Sequence, residues 1–114
     1  MFNQLQPVVE LVHKHKEDEP LRVERIIWIP EIVDKLAAKH GVLVTEVEEV
    51  FHAQPLIRRM RRGHRPGEDV YAALGQTIAG RYLIVFFVYK KTQEALMVSA
   101  RDMDQGERRG YEHR

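Results

Sequence analysis

The sequence predicts an α+β fold with two early helices, a run of strands and a last helix. Three observations predict this: a β-branched stretch near residue 25, apolar residues at helical spacing between residues 30 and 52, and strand-like apolar stretches from residue 56 onward. The expected order is β-α-α-β-β-β-β-α. Successive hairpins then predict an antiparallel sheet, with the two early helices packed on one face.

The composition indicates one domain with a modest core. The chain has 114 residues, a net charge of +1 and no cysteine, which excludes disulfides and thiolate zinc sites. No apolar run reaches the length of a membrane span, and the N-terminus lacks a signal-peptide pattern. We therefore expect a cytoplasmic protein that does not contact membranes. The near-neutral charge argues against a strongly basic nucleic-acid-binding face.

Residues 1–21 are expected to form an N-terminal extension of the compact domain at residues 22–114. Apolar residues in the extension favour a short helix from about Pro7 to Lys16. Pro20 ends this segment, because the residue before a proline avoids helical geometry. We assign no chemistry to the extension.

The first elements of the domain follow from local signals. Val23 to Ile29 is rich in β-branched residues and predicts a strand, and Pro30 then suits the first turn of a helix. Apolar residues recur at helical spacing up to Gly41, which we expect to end the helix as a left-handed C-cap.

A second helix is predicted from about Glu46 to His52. Thr45 and Glu48 have the spacing of a capping box at its start. Its expected buried face consists of Val47, Val50 and Phe51.

Four strands and a helix are predicted in the second half, with the strands at residues 56–62, 70–76, 82–89 and 95–99. The first is basic and is expected at an edge of the sheet. Tyr82 to Tyr89 is apolar on both parities, which predicts a central strand covered on both faces. Asp102 is expected to cap the last helix, with Gln105 at its third position.

The residue types best suited to chemistry lie at the C-terminal end. Arg101 is expected directly after the last strand, and Glu107, Arg108 and Tyr111 are neighbours on the last helix. A guanidinium binds phosphate, and a carboxylate and a phenol can exchange protons with a substrate. A solvated Glu–Arg pair beside a packed tyrosine explains the same pattern, and the residues alone favour that structural interpretation.

Two further groups have both a functional and a structural interpretation. Lys39 and His40 suit the last turn of a helix because of its dipole, and they could also hold a phosphate and exchange a proton. The basic tract could follow an RNA backbone or protect a sheet edge; its arginines are Arg58, Arg59, Arg61, Arg62 and Arg65. The six histidines lack metal-ligand spacing, so we expect no metal and no cofactor.

An ordered set of motifs makes the chain resemble the BrnT family, which are small RNase toxins of bacterial type II toxin–antitoxin systems with a RelE-like fold. The resemblance extends from about residue 22 to the C-terminus. Its motifs are Trp28, Lys39-His40-Gly41-Val42, Glu46 to Phe51, Gly67-Glu68, Gly75, Arg81, Ser99-Ala100-Arg101, Glu107-Arg108 and Tyr111-Glu112.

The resemblance implies a RelE-like domain that cleaves RNA without a metal, by attack of a ribose 2′-hydroxyl on the adjacent phosphate. Arg81 and Arg101 would bind the phosphate with help from Lys39, and Arg108 is included among the catalytic candidates. His40 or Glu107 would act as the base, and Tyr111 would orient the substrate or donate a proton.

The resemblance also implies a partner. This would be a BrnA-like antitoxin, a ribbon-helix-helix DNA-binding protein that neutralises the toxin and represses the operon together with it. The oligomeric state is left open between a homo-oligomer and a toxin–antitoxin heterotetramer.

Four positions depart from the family pattern. Ile29 replaces an aspartate, Leu36 an asparagine, and Val70 and Leu96 two arginines. The alternative is therefore a non-catalytic protein of the same fold that binds a partner or RNA, and a small interaction domain is a third interpretation.

A nuclease of this type also sets a geometric requirement. Arg81 and Arg101 must meet Glu107 and Tyr111 in one open pocket.

Overall fold

The structure, a computed structural model, describes residues 9–10 and 21–114. The helices of this part are α1 (Pro30–Lys35), which continues as a π-helical turn (Leu36–His40), α2 (Val44–His52) and α3 (Gln105–Glu112). Its strands are β1 (Val9–Glu10), β2 (Arg22–Val23), β3 (Arg25–Ile27), β4 (Leu56–Arg61), β5 (Val70–Gln76), β6 (Tyr82–Tyr89) and β7 (Glu94–Asp102). None of the described helices is both long and apolar enough to cross a membrane.

The main sheet has five strands in the order β3-β7-β6-β5-β4. Strands β4 to β7 are antiparallel neighbours, as the hairpin pattern predicts. The prediction of a purely antiparallel sheet is wrong at one edge, where β3 runs parallel to β7. The reason is the connection: helices, not a hairpin, link β3 to the rest of the sheet.

Strand β6 lies at the centre of the sheet and is covered on both faces, which confirms the prediction from its composition. Leu83, Val85 and Phe87 belong to the main core. Ile84 and Phe86 point to the opposite face, where Tyr111 of α3 packs. We name these the α2 face and the α3 face. The α+β class is confirmed.

The ends of the early helices follow the sequence only in part. Gly41 has φ 61° and caps the π-helical turn, as predicted. Helix α2 begins at Val44, before the predicted start, and Glu46 accepts a hydrogen bond from the Leu43 N–H at 3.0 Å. The predicted capping box of Thr45 and Glu48 is therefore wrong. The buried face of Val47, Val50 and Phe51 is confirmed.

The last strand is longer than predicted and changes the start of α3. Pairing with β6 keeps β7 extended to Asp102, so Arg101 lies within the strand and not after it. The cap is Asp104: its side chain accepts from the Glu107 N–H at 2.7 Å, and the Glu107 side chain accepts from the Asp104 N–H at 2.9 Å. The prediction of Asp102 as the cap is wrong.

Near the N-terminus, β1 pairs antiparallel with β2, so Val9 lies opposite Val23. The helix predicted from Pro7 to Lys16 is therefore wrong at Val9–Glu10, and its other residues lie outside the described part of the chain. Leu21 and Val23 are buried in the main core, so the packed domain includes the last residue of the predicted extension.

Candidate active site

A groove of about 220 Å³ lies on the α3 face, between α3 and the strands β4 to β6. Its apolar floor is formed by Ala72, Leu74 and Ile84. Strand β4 contributes one wall, with Arg58 and Met60. Helix α3 contributes the other wall, with Gly106, Glu107, Gly110 and Tyr111. Residues that carry a carboxylate, a phenol and a guanidinium thus line one small apolar space.

Arg101 forms a bidentate ion pair with the Glu107 carboxylate. Its two terminal nitrogens donate to Oε1 at 2.8 Å and Oε2 at 2.9 Å. This hydrogen bonding lowers the pKa of Glu107 below its usual range, against the opposing effect of partial burial. Glu107 is therefore ionised near neutral pH. The Arg101 guanidinium also lies 5.5 Å from the centre of the Phe86 ring.

Tyr111 anchors α3 to the sheet and borders the groove. Only 8% of the residue is exposed, and its ring meets the Tyr82 ring edge-on at 6.0 Å. Among residues 9–10 and 21–114, the hydrogen bonds found include one to the Tyr111 main-chain oxygen from Arg114 but none to the phenol oxygen. That hydroxyl is the polar group of Tyr111 that a ligand in the groove could satisfy.

Arg81 is engaged elsewhere, in bonds that use all five of its N–H donors. Nε and one terminal nitrogen donate to the two oxygens of Asp102 at 2.7 and 3.3 Å. The terminal nitrogens also donate to the main-chain oxygens of His40 and Gly41, and to Glu46 at 3.1 Å. The bonds to Asp102 are the main cause of a raised Arg81 pKa and a lowered Asp102 pKa.

Arg81 and Asp102 lie on the opposite face of the sheet from the groove, because side chains alternate between the two faces along a strand. Arg101 is paired with Ile84 and so lies on the α3 face, whereas Asp102 is paired with Leu83 and lies on the α2 face. Because Arg81 is hydrogen-bonded to Asp102, its guanidinium also lies on the α2 face. The single pocket expected for Arg81, Arg101, Glu107 and Tyr111 is therefore not formed. The geometric requirement derived from the sequence is wrong for Arg81, and only Arg101, Glu107 and Tyr111 remain together at or beside the groove.

Lys39 and His40 are exposed at the end of the π-helical turn, on the same side as Arg81. Arg108 lies away from the groove: its guanidinium is 3.8 Å from the centre of the Tyr82 ring and its Nε is 3.4 Å from Glu112.

The basic tract is divided between the two faces. Arg58 lines the groove, whereas Arg59 forms an ion pair with Asp69 at 3.5 Å. Arg59 pairs with Tyr71, whose ring stacks on Phe87 of the main core, so it faces the α2 side. The remaining arginines are exposed along and after the edge strand: Arg61, Arg62 and Arg65.

A second groove, of about 280 Å³, lies on the α2 side between the β4–β5 and β6–β7 connections. It is bordered by Tyr71, Tyr89 and Lys91 among others. None of the site residues expected from the sequence borders it. The smaller groove on the α3 face is therefore the candidate active site.

Sequence reasoning missed the three floor residues of the groove and three residues of its walls, which are Met60, Gly106 and Gly110. The glycines recur four apart in an otherwise polar helix, a spacing that places them on one helical side and could have been noticed. Met60 gives no such signal, because it lies within a basic tract that the sequence indicates only as an edge strand. The sequence gives no sign of the partner of Arg81 either, because the position of Asp102 also suits a helix cap.

The family model described as "Ribonuclease toxin, BrnT, of type II toxin-antitoxin system" matches residues 28–107. The match covers most of the chain and includes the groove-lining residues up to Glu107. The chain belongs to the BrnT family of ribonuclease toxins of type II toxin–antitoxin systems. No curated protein sequence matches it.

A similar fold occurs in the crystal structure of the Brucella abortus ribonuclease toxin BrnT. The two proteins superpose with a TM-score of 0.52 and 19% sequence identity, over 71% of this chain and 97% of that one. This likeness supports the fold.

Proposed function

We propose that this protein is the toxin of a type II toxin–antitoxin pair and cleaves RNA at the groove on the α3 face. The observation that carries this assignment is the convergence of Glu107, Tyr111 and Arg58 around one small space, with Arg101 bound to Glu107. These residues can provide a proton acceptor, a proton donor and cationic groups for a phosphate.

Phosphate binding is coupled to activation of the base. In the free protein the Arg101 guanidinium is shared with Glu107, which keeps the carboxylate ionised but lowers its basicity. A phosphate that draws the guanidinium toward its own oxygens weakens that bond. The basicity of Glu107 then rises when the substrate is in place.

The reaction is a transfer of the phosphoryl group within the RNA strand. Glu107 accepts the proton of the 2′-hydroxyl, whose oxygen attacks phosphorus while the bond to the 5′ oxygen breaks. Tyr111 donates its phenolic proton to the leaving 5′ oxygen, and the proton on Glu107 then restores the phenol. The products are a 2′,3′-cyclic phosphate and a free 5′-hydroxyl, and no metal ion is needed for proton balance.

The surrounding residues have supporting roles in this proposal. Arg58 binds the phosphate from the β4 wall, and the exposed arginines that follow it attract the RNA backbone. Arg81 holds the end of β7 in place instead of binding phosphate, because its donors are already used. Of the two base candidates, Glu107 is preferred to His40, which lies on the side of Arg81.

Other parts of the proposal follow from family membership. The domain is a RelE-like toxin of the cytoplasm, neutralised by a BrnA-like ribbon-helix-helix antitoxin that represses the operon with it. Residues 1–21 lie outside the family match, which begins at Trp28, and form an extension whose last residue, Leu21, packs into the core.

The decisive experiment combines induction in a bacterial host with a cleavage assay of the purified protein on single-stranded RNA in EDTA. We expect growth arrest and products that end in a 2′,3′-cyclic phosphate. Glu107→Gln and Tyr111→Phe should lower the cleavage rate at least 100-fold, because each removes one proton-transfer group.

The matched control is Glu94→Gln. Glu94 also has a lowered pKa and an ion pair with an arginine, Arg25, at 3.0 Å, but it lies at the other edge of the sheet. This variant should cleave RNA at the wild-type rate. Cleavage that survives both groove substitutions, or that stops in EDTA, contradicts the mechanism.

One observation favours a non-catalytic BrnT-like protein that binds a partner or RNA. Val70 and Leu96, which replace arginines of the family pattern, both neighbour Val88 across the sheet and lie on the α3 face. Two cations are therefore missing from the face that contains the groove. Harmless expression together with uncleaved RNA would establish this alternative.

A further inference from the structure

The groove on the α3 face extends beyond the two residues that we assign to proton transfer, Glu107 and Tyr111. Its floor is apolar, and Met60 stands on the β4 wall with 54% of its surface exposed. A volume of about 220 Å³ lies below the roughly 300–1,000 Å³ of pockets that hold drug-sized ligands. Its size and shape suit a small flat group.

Two glycines keep the opposite wall open. A Cβ at Gly110 would meet no atom within 4 Å, and one at Gly106 would meet only the Asp104 carboxylate at 3.6 Å. Packing in the free protein therefore does not demand glycine at either position. Each glycine costs α3 about 1 kcal/mol relative to alanine. This cost is unexplained unless an occupant approaches the helix backbone closely.

Tyr111 provides a polar group at the groove to which an occupant could bind. Its side chain is more than nine-tenths buried and borders the groove, yet no hydrogen bond to its phenol oxygen is found among the described residues. The buried side-chain polar atom without a partner in the described part of the chain is Trp28 Nε1, so the Tyr111 hydroxyl is open to solvent and accessible to the polar edge of a ligand in the groove.

We propose that the groove is a subsite for one nucleobase of the RNA strand. The base lies between Met60 and the glycine side of α3, its polar edge reaches the Tyr111 hydroxyl, and Arg58 lies at the entrance. Positive charge along the edge strand favours a polyanion over a neutral or basic partner. This inference rests on the proposed function, because it places the ribose of the bound nucleotide beside Glu107.

The test measures binding of 2′-O-methyl RNA decamers, which cannot be cleaved through the 2′ position. Decamers of uridine, adenosine or cytidine are compared with an abasic decamer of equal charge, by fluorescence anisotropy at fixed salt. We expect at least one base-bearing decamer to bind wild-type protein about tenfold more tightly than the abasic one, in line with stacking of a single base. Equal binding of all four, or no binding, overturns the subsite.

Gly110→Leu fills the groove without breaking the helix, since leucine is a good helix former. We expect this variant to lose the preference for bases and to keep the salt-dependent binding. Gln105→Leu, which introduces the same side chain at an exposed position of α3 outside the groove, should keep the preference. If Gly110→Leu does not fold, Gly110→Ala and Met60→Ser provide the same comparison. A preference that persists in the filled variant contradicts the subsite.

The two proposals can fail separately. RNA cleavage without a preference for bases removes the subsite and leaves the proposed function intact. A preference for bases without cleavage retains the subsite in a non-catalytic RNA-binding protein.

Discussion

Arg101 and Asp102 are consecutive residues of β7 whose side chains leave the sheet on opposite faces, and each forms an ion pair there. Arg101 binds Glu107 of α3, at the groove. Asp102 binds Arg81, beside the start of α2. One peptide bond thus separates a pair that we assign to chemistry from a pair that we assign to the fold. Substitutions at the two pairs should affect different properties.

Arg81→Met should destabilise the protein by about 2 kcal/mol. The change leaves the oxygens of His40 and Gly41 without their donors and brings the carboxylates of Glu46 and Asp102 together without a cation. Partial exposure of the pair keeps the loss below that of a fully buried one. Urea unfolding followed by circular dichroism measures it. Arg25→Met, which removes an exposed ion pair, is the control and should leave the midpoint almost unchanged.

Asp104→Ala should cost about 1 kcal/mol, because it removes the side-chain acceptor of the Glu107 N–H at the start of α3. Asp104→Asn should retain most of the stability. Thr45→Ala is the control, since Thr45 lies inside the first turn of α2 and does not cap it. A larger loss from Thr45→Ala than from Asp104→Ala would contradict the observed caps.

Lowering the pH should reduce the free energy of unfolding, because Asp102 and Glu107 become protonated. Hydrogen bonds from arginines lower both folded-state pKa values below the ordinary 3.8 and 4.5. The unfolded chain therefore takes up these protons first as the pH falls. The stability that the two groups provide is complete above about pH 5 and is lost as the pH falls through their folded-state pKa values. Unfolding free energies between pH 7 and pH 3 measure the loss, and Glu107→Gln should make the decline shallower.

Gly75→Ala should destabilise the sheet by about 1–2 kcal/mol. An added Cβ would lie 3.1 Å from Cγ1 of Val50, which is fully buried, and 3.5 Å from Cβ of Pro55. Gly110→Ala, where the space is open, should instead raise the unfolding free energy by up to about 1 kcal/mol. The opposite signs of the two changes distinguish packing from helix propensity, and thermal unfolding measures both.

The sequence was informative where a feature depends on local pattern. The limits of β5 and β6 follow from runs of apolar and β-branched residues, and the left-handed Gly41 follows from its place after a periodic helix. The end of β7 could not be read in the same way. Hydrogen bonding to β6 extends it beyond its apolar residues, and only that pairing places Arg101 in the strand.

The candidate site was predictable in its residues but not in their grouping. Chemical type points to Arg101, Glu107 and Tyr111, and spacing on one helix also points to Glu107 and Tyr111; the structure brings all three to the groove or its border. Arg81 carries the same chemical type, but its acceptors come from segments that are distant in the sequence: residues 40–41, 46 and 102. Such an arrangement leaves no periodic signal.

The hydrogen bonds of Arg81 also affect the unfolding rate of the protein. They join the start of β6 to segments up to 41 positions away, so they can form only after the sheet and α2 have come together. Interactions that form late contribute little to the folding transition state and mainly slow the reverse reaction. We therefore expect removal of this one guanidinium to shorten the lifetime of the native state while the refolding rate stays nearly constant.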